Sequence, residues 1–181
     1  MQRNRELRNL IEIGLFAALI VLGITFFKIR LLGSMVHVGN ALVILSSLLM
    51  GFKRGATASL LGLFIFDMLN GYASDVVFTL VEALIVLVVI GAVHRYVLKG
   101  RDTRQAIATI AVVGGLTKIV SRPFSIALKQ VIIGANLETL TAVLYSKMPG
   151  TLITAVVTAL LVPILYYPMK RVVERFHPIG E

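Results

Sequence analysis

Long apolar blocks separated by short basic clusters dominate this chain, and that alternation restricts its fold more than any other feature. Six blocks stand out, over residues 10–27, 36–52, 56–69, 76–97, 106–133 and 149–169. Crossing an apolar bilayer core of about 30 Å takes about 20 helical residues at 1.5 Å each. Inside lipid a helix satisfies its own backbone polar groups, which an open sheet or a loop does not. Charged residues make up only 15% of the 181. A soluble domain carries about 25%, because its surface must be wetted. The expectation is an all-α membrane protein, a six-helix transmembrane bundle forming one domain over residues 1–181.

The blocks are not uniform. The second and third are short for a crossing, and their ends carry His37, Asn40, Asp67 and Asn70. Those ends are expected to face protein or a cavity rather than lipid. The fifth is long and contains Pro123. Proline removes a helical hydrogen bond and disfavours helix at the preceding residue, here Arg122, so a kink or break is expected. Residues 134–147 read as a loop.

Net charge is +9. Twelve of the 18 basic residues lie in four clusters: Arg3, Arg5 and Arg8; Lys53 and Arg54; Arg95, Lys99, Arg101 and Arg104; Lys170, Arg171 and Arg175. Alternate crossings place all four on one side, which the positive-inside rule makes the cytoplasm, giving N-in, C-in topology. Basic amphipathic helices with interleaved aromatics are missing, which argues against nucleic-acid binding. The Arg-rich, then apolar, start imitates a secretory signal. However, no small-residue cleavage site precedes Lys28, so the first block reads as a retained helix.

Ionisable side chains inside spans are costly, and their default reading is functional. The candidates are Glu12, Asp67, Glu82, Lys118, Arg122 and Lys129. By helical rise, Glu82 lies roughly 9 Å and Arg122 roughly 16 Å below the outer surface, whereas Glu12 sits at the cytoplasmic end. Lys118, Arg122, Ser125 and Lys129 share one helical face, and Thr79 with Glu82 and His37 with Asn40 are i, i+3 pairs. An outward-facing polar pocket lined by His37, Asn40, Asp67, Asn70, Thr79, Glu82, Lys118 and Arg122 accounts for this shared depth. Structural alternatives stand beside it. Glu82 as an ion-pair partner of Lys118 or Arg122, Asp67 as a brace for the turn Asn70-Gly71-Tyr72, and His37 bonded to backbone are each consistent with the sequence. Lys129 and Lys147 read as snorkelling or loop residues, and Tyr145, Tyr166 and Tyr167 as interface anchors.

Catalytic signatures are lacking: there is no phosphate loop, zinc helix or nucleophile elbow. There is also no cysteine. The topology separates His37, His94 and His177, so no shared metal site is expected. A pocket without such machinery points to binding, with no cofactor, rather than to enzymatic chemistry. Energy for any active transport would then come from a partner or an ion gradient. Gly14 and Ala18 form a small-x-x-x-small pair flanked by Ala17, a pattern that lets helices approach closely in lipid, either with a partner or inside the bundle.

Three stretches in order resemble one family: Val36-His37-Val38-Gly39-Asn40, Leu49-Met50-Gly51-Phe52-Lys53-Arg54-Gly55, and Phe66-Asp67-Met68-Leu69-Asn70-Gly71-Tyr72. With the size and the basic N-terminus, they are similar to the substrate-specific S components of energy-coupling-factor (ECF) transporters, bacterial vitamin importers, in the riboflavin-type branch. The resemblance implies a multi-pass protein of the bacterial plasma membrane. It captures a vitamin at the outer face beneath a lid between spans one and two. It would work with a transmembrane scaffold (T) subunit and two cytoplasmic ATPase subunits, and topple in the bilayer to release its guest. It also implies that Gly14, Ala17 and Ala18 contact the scaffold.

With no tryptophan and few aromatics expected at pocket depth, pyridoxine or hydroxymethylpyrimidine is favoured over riboflavin. Glu82 or Asp67 would accept from ring N–H and hydroxymethyl groups, with Asn40 and His37 supplying mixed donors and acceptors. A stand-alone small transporter and an intramembrane enzyme using Asp67 and Glu82 are the competing classes.

Overall fold

The computed structural model describes residues 2–31 and 34–176. Its elements run α1 (Gln2–Phe26), β1 (Ile29–Leu31), β2 (Ser34–Val36), α2 (Gly39–Met50), α3 (Phe52–Leu69), α4 (Val76–Ala92), α5 (Arg104–Ile132) and α6 (Leu137–Phe176). A π-helical turn, Val93–Val97, extends α4. The strands form an antiparallel hairpin pairing Ile29 with Val36 and Arg30 with Met35.

Around the bundle α1 packs on α3, α3 on α4, α4 on α5 and α5 on α6. α2 fills the middle and touches all five other helices. Its residues Gly39 to Ser47 are buried without a break. A helix apolar all round is stable only when enclosed on every side. At 12 residues α2 is about 18 Å long, too short to cross alone. Its shortness therefore reflects a core position, with the hairpin continuing the chain beyond its N-terminus. Gly51, at φ +79°, makes the reversal from α2 into α3, a left-handed conformation that a Cβ would oppose. Ser46 and Ser59 hydroxyls then bond at 2.7 Å across the two helices.

The outer faces carry exposed large apolar residues, such as Leu15, Val88, Val120 and Leu160. A soluble monomer does not present such faces over its whole girth. α1, α4 with its π turn, α5 and α6 are long and apolar enough to cross a membrane. α2 is apolar but short, and α3 is not in that group.

Several expectations are corrected. α5 runs unbroken through Pro123, so no helix break occurs there. One missing backbone donor leaves the neighbouring turns able to hold the helix together. α6 begins at Leu137, so most of 134–147 is helix rather than loop. The connection shrinks to a few residues because Gly134 (φ +71°) terminates α5 and Asn136 Oδ1 accepts from Thr139 N at 2.8 Å, capping α6. Tyr166 is no interface anchor: it is 1% exposed in the core. Tyr167 instead donates its hydroxyl to the Asp102 carbonyl at 2.9 Å. Glu12 pairs with Arg54 at 3.4 Å, joining α1 to the start of α3.

Candidate functional site

Between the hairpin and the nearby halves of α2 to α6 lies a cavity of about 560 Å³. This falls within the range of small-molecule sites. His37, Asn40, Asp67, Thr79, Glu82, Lys118 and Arg122 all line it. Arg30, Ser34 and Met35 of the hairpin line it as well.

Glu82 lies at the centre of the wall formed by α4 and α5. Its side chain is 1% exposed and lies between two cations of α5. Oε1 forms an ion pair with Lys118 Nζ, and Oε2 accepts from Arg122 Nη1 at 3.1 Å. The spacing of Lys118 and Arg122, one turn apart, lets both face one carboxylate. Glu82 is thus an ion-pair partner, as one reading of the sequence held. The arrangement is not a sealed core, since Arg122 keeps 32% of its side chain exposed beside the cavity. Nearer the mouth Lys129 pairs with Asp75, so it neither snorkels nor stands in a loop.

Asp67 hydrogen-bonds Thr79 and, unlike Glu82 and Asp75, has no ion pair among the described residues. It is 5% exposed, lines the cavity, and its Oδ2 has no hydrogen-bond partner among the described residues. The turn after α3 is braced by its backbone, whose carbonyl accepts from Tyr72 N at 2.8 Å. Its carboxylate is therefore not needed for that turn. Buried polar atoms are rarely left without partners, and such an orphan in a cavity wall marks a place for a guest's donor.

His37 Nδ1 accepts from Gly39 N at 3.0 Å, so the ring is fixed by backbone at the start of α2 while lining the cavity. An imidazole that accepts at Nδ1 and is neutral carries its proton on Nε2. Asn40 Nδ2 donates to Thr158 Oγ1 at 3.2 Å, tying α2 to α6. Asn70 is placed outside the cavity wall. Its Oδ1 accepts from Lys28 Nζ at 2.9 Å and its Nδ2 donates to the Phe66 carbonyl, so it anchors the foot of the hairpin to the end of α3.

The sequence reading missed several wall residues. Phe66, Tyr72 and Phe78 all line the cavity, which corrects the expectation of few aromatics at this depth. Phe66 and Tyr72 stack with centroids 6.2 Å apart, and Lys28 Nζ lies 5.5 Å from the Phe66 ring. Ser125, Lys129 and Lys147, noted in the sequence without a binding role, also line it, as does Arg30. The hairpin is held over the cavity by Ser34 Oγ, which donates to the Lys147 carbonyl at 3.3 Å. The length of α6 brings that carbonyl there, and no local motif announced it.

Of the three small residues on α1, Gly14 and Ala18 are exposed and Ala17 is buried at 2%. The expectation that Ala17 meets a partner is corrected: a turn of 100° per residue rotates it inward. There a Cβ on Gly62 of α3 would come within 2.8 Å of the Ala17 carbonyl. His37 lies between β2 and α2, His94 within the π turn, and His177 lies outside the described residues. Among the described residues no group of three metal-ligating side chains converges.

A family model described as "ECF-type riboflavin transporter, S component" matches residues 4–171. No curated protein and no solved structure matches the chain significantly. The matched span is nearly the whole sequence: the chain belongs to the S components of ECF-type transporters, multi-pass plasma-membrane subunits that bind a vitamin and work with T and ATPase modules.

Proposed function

We propose that this S component captures a small hydroxylated nitrogen heterocycle, of the pyridoxine or hydroxymethylpyrimidine kind, at the outer face of the membrane. The guest sits beneath the hairpin and is delivered inward with the T subunit and two ATPase subunits. The chain crosses six times with both termini in the cytoplasm, which keeps its basic clusters inside. His37, Asn40, Asp67, Thr79, Lys118 and Arg122 contact the guest, while Glu82 positions the two cations. Asn70 acts one step removed, through the hairpin.

The observation that carries this reading is the buried Asp67 carboxylate, hydrogen-bonded to Thr79 but with no partner for Oδ2 among the described residues, in a cavity where Glu82 and Asp75 are ion-paired. A small ring with N–H and hydroxyl groups supplies the missing donor and leaves room for the aromatic lining to stack on it. Gly14 and Ala18, open on the outer face of α1, offer the close-approach surface for the T subunit.

Riboflavin is the second reading. It is favoured by the family description and by three aromatic side chains, Phe66, Tyr72 and Phe78, on the wall. The mass of the compound that co-purifies with the chain, followed by equilibrium binding, separates the two. Tight flavin binding with no measurable pyridoxine or hydroxymethylpyrimidine binding would eliminate the first. Sustained uptake into vesicles by the chain alone, without ATPase partners, would eliminate the subunit role.

A further inference from the structure

The cavity separates its charges by helix. On α3, Asp67 presents a carboxylate oxygen with no partner among the described residues. On α5, Lys118 and Arg122 together face a single carboxylate, Glu82, contributed by α4. α4 packs between α3 and α5, so the orphan acid and the two cations lie on opposite flanks of its inward face. Glu82 has both oxygens committed, Oε1 towards Lys118 and Oε2 to Arg122 Nη1, and is not available as a guest's acceptor. The cations are not exhausted. An ammonium has three donors and a guanidinium five, and a single Arg122 nitrogen is engaged with Glu82.

We infer that the site recognises its guest as a dipole, with a protonated ring nitrogen at Asp67 and an anionic ring oxygen at Lys118 and Arg122. This rests on the heterocycle reading above and narrows it. A 3-hydroxypyridine ring meets the demand without gaining or losing a proton. Its neutral form and its zwitterion differ only by transfer of the hydroxyl proton to the ring nitrogen. In water the two forms coexist. Opposite charges on the two flanks stabilise the zwitterion, because charge-assisted hydrogen bonds in a site screened from bulk water are the stronger ones. A neutral aminopyrimidine or the uncharged flavin ring can hydrogen-bond to both flanks but offers a full charge to neither. The site therefore discriminates by charge layout across the ring as well as by size.

The experiment uses the purified intact chain in lipid nanodiscs and three probes: pyridoxine, its carbocyclic analogue with C–H in place of the ring nitrogen, and its 3-deoxy analogue. Asp67→Asn keeps the shape and removes the charge. It is expected to weaken pyridoxine by about 10- to 100-fold, the range for a hydrogen bond to a charged group, and to leave the carbocyclic analogue within about threefold of its wild-type affinity. Lys118→Gln is expected to weaken pyridoxine and spare the 3-deoxy analogue. Arg122→Lys, which retains a cation beside Glu82, gives the same comparison if Lys118→Gln does not fold. Equal losses for pyridoxine and both analogues would overturn the dipole while leaving pyridoxine capture standing. Failure of the wild-type chain to bind pyridoxine would overturn the heterocycle reading and the dipole together.

Discussion

Glu82→Gln tests the central charge arrangement most directly. The substitution keeps volume and removes the one negative charge that Lys118 and Arg122 share. Two cations one turn apart on α5 are then left facing each other with no counter-charge in contact. Removing one partner of a fully buried pair costs about 3–5 kcal/mol. Here the cations keep 18% and 32% of their side chains exposed beside the cavity. Solvation on that side reduces the expected loss to about 2 kcal/mol. For a chain of this size that corresponds to a fall of roughly 4–8 °C in melting temperature. Thermal unfolding in detergent, followed by intrinsic fluorescence or light scattering, reads the shift. The double variant Glu82→Gln/Lys118→Gln removes one of the repelling cations and should recover more than half of it. A single variant within about 1 °C of wild type, with a coupling energy below about 0.5 kcal/mol in the double-mutant cycle, would refute the reasoning.

Three further perturbations probe other parts. Gly150→Leu should wedge the hairpin away from α6, because a Cβ there would lie 2.7 Å from Ser34 Cβ; stopped-flow ligand release should accelerate several-fold, and unchanged release would show that this contact does not hold the hairpin. Asp102 joins the turn after α4 to α6 through Lys170 at 2.6 Å and His94 at 3.6 Å. Burial raises its carboxyl pKa, but hydrogen bonds from Lys170 and Tyr166 and the charges of Lys170 and His94 outweigh that and hold it below the ordinary value. A depressed carboxylate stabilises the fold above its unfolded pKa of about 3.9 and loses that contribution as pH falls through its lower folded value. Because the side chain is 39% exposed, Asp102→Asn should cost under about 1 kcal/mol at pH 7; melting curves of the two proteins should converge below about pH 4, and a gap independent of pH would exclude the mechanism. Finally, Ala17→Leu should destabilise the isolated chain, whereas Ala18→Leu should leave it stable and impair assembly with the T subunit in pull-down; the reverse pattern would invert the assigned faces of α1.

The bundle was legible because its signals repeat along the chain: apolar runs with basic clusters between them fix the order of the helices and, for α2 to α5, their ends within a few residues. The site was legible for a different reason. Charges at equal depth on separate apolar helices are costly unless they meet, and seven of the eight expected side chains do line one cavity. What stayed hidden depends on rotation and reach. Ala17 and Ala18 look equivalent in sequence, yet 100° separates their side chains. Tyr166 reads like an interface tyrosine, and its neighbours turn it into the core. The early start of α6 rests on Asn136 capping a helix through a polar stretch that reads as loop. Phe78 is one apolar residue among many on α4 until packing aims it at the cavity.

The pairing pattern also separates holding the empty bundle from recognising a guest. Asp75 has Lys129, Glu82 has Lys118 and Arg122, and each pair joins α5 to α4 or to the turn just before it. These contacts lie wholly within the chain, so they contribute to its own stability. The Asp67 carboxylate forms no ion pair among the described residues; it hydrogen-bonds Thr79, and its unsatisfied buried Oδ2 costs stability rather than adding it. Its natural compensation is a donor from outside the chain. Loss of Glu82 should therefore weaken fold and capture together, whereas loss of the Asp67 charge should weaken capture and leave the empty fold as stable as before or more so. A wall residue whose removal harms binding but not folding is one whose partner is the guest.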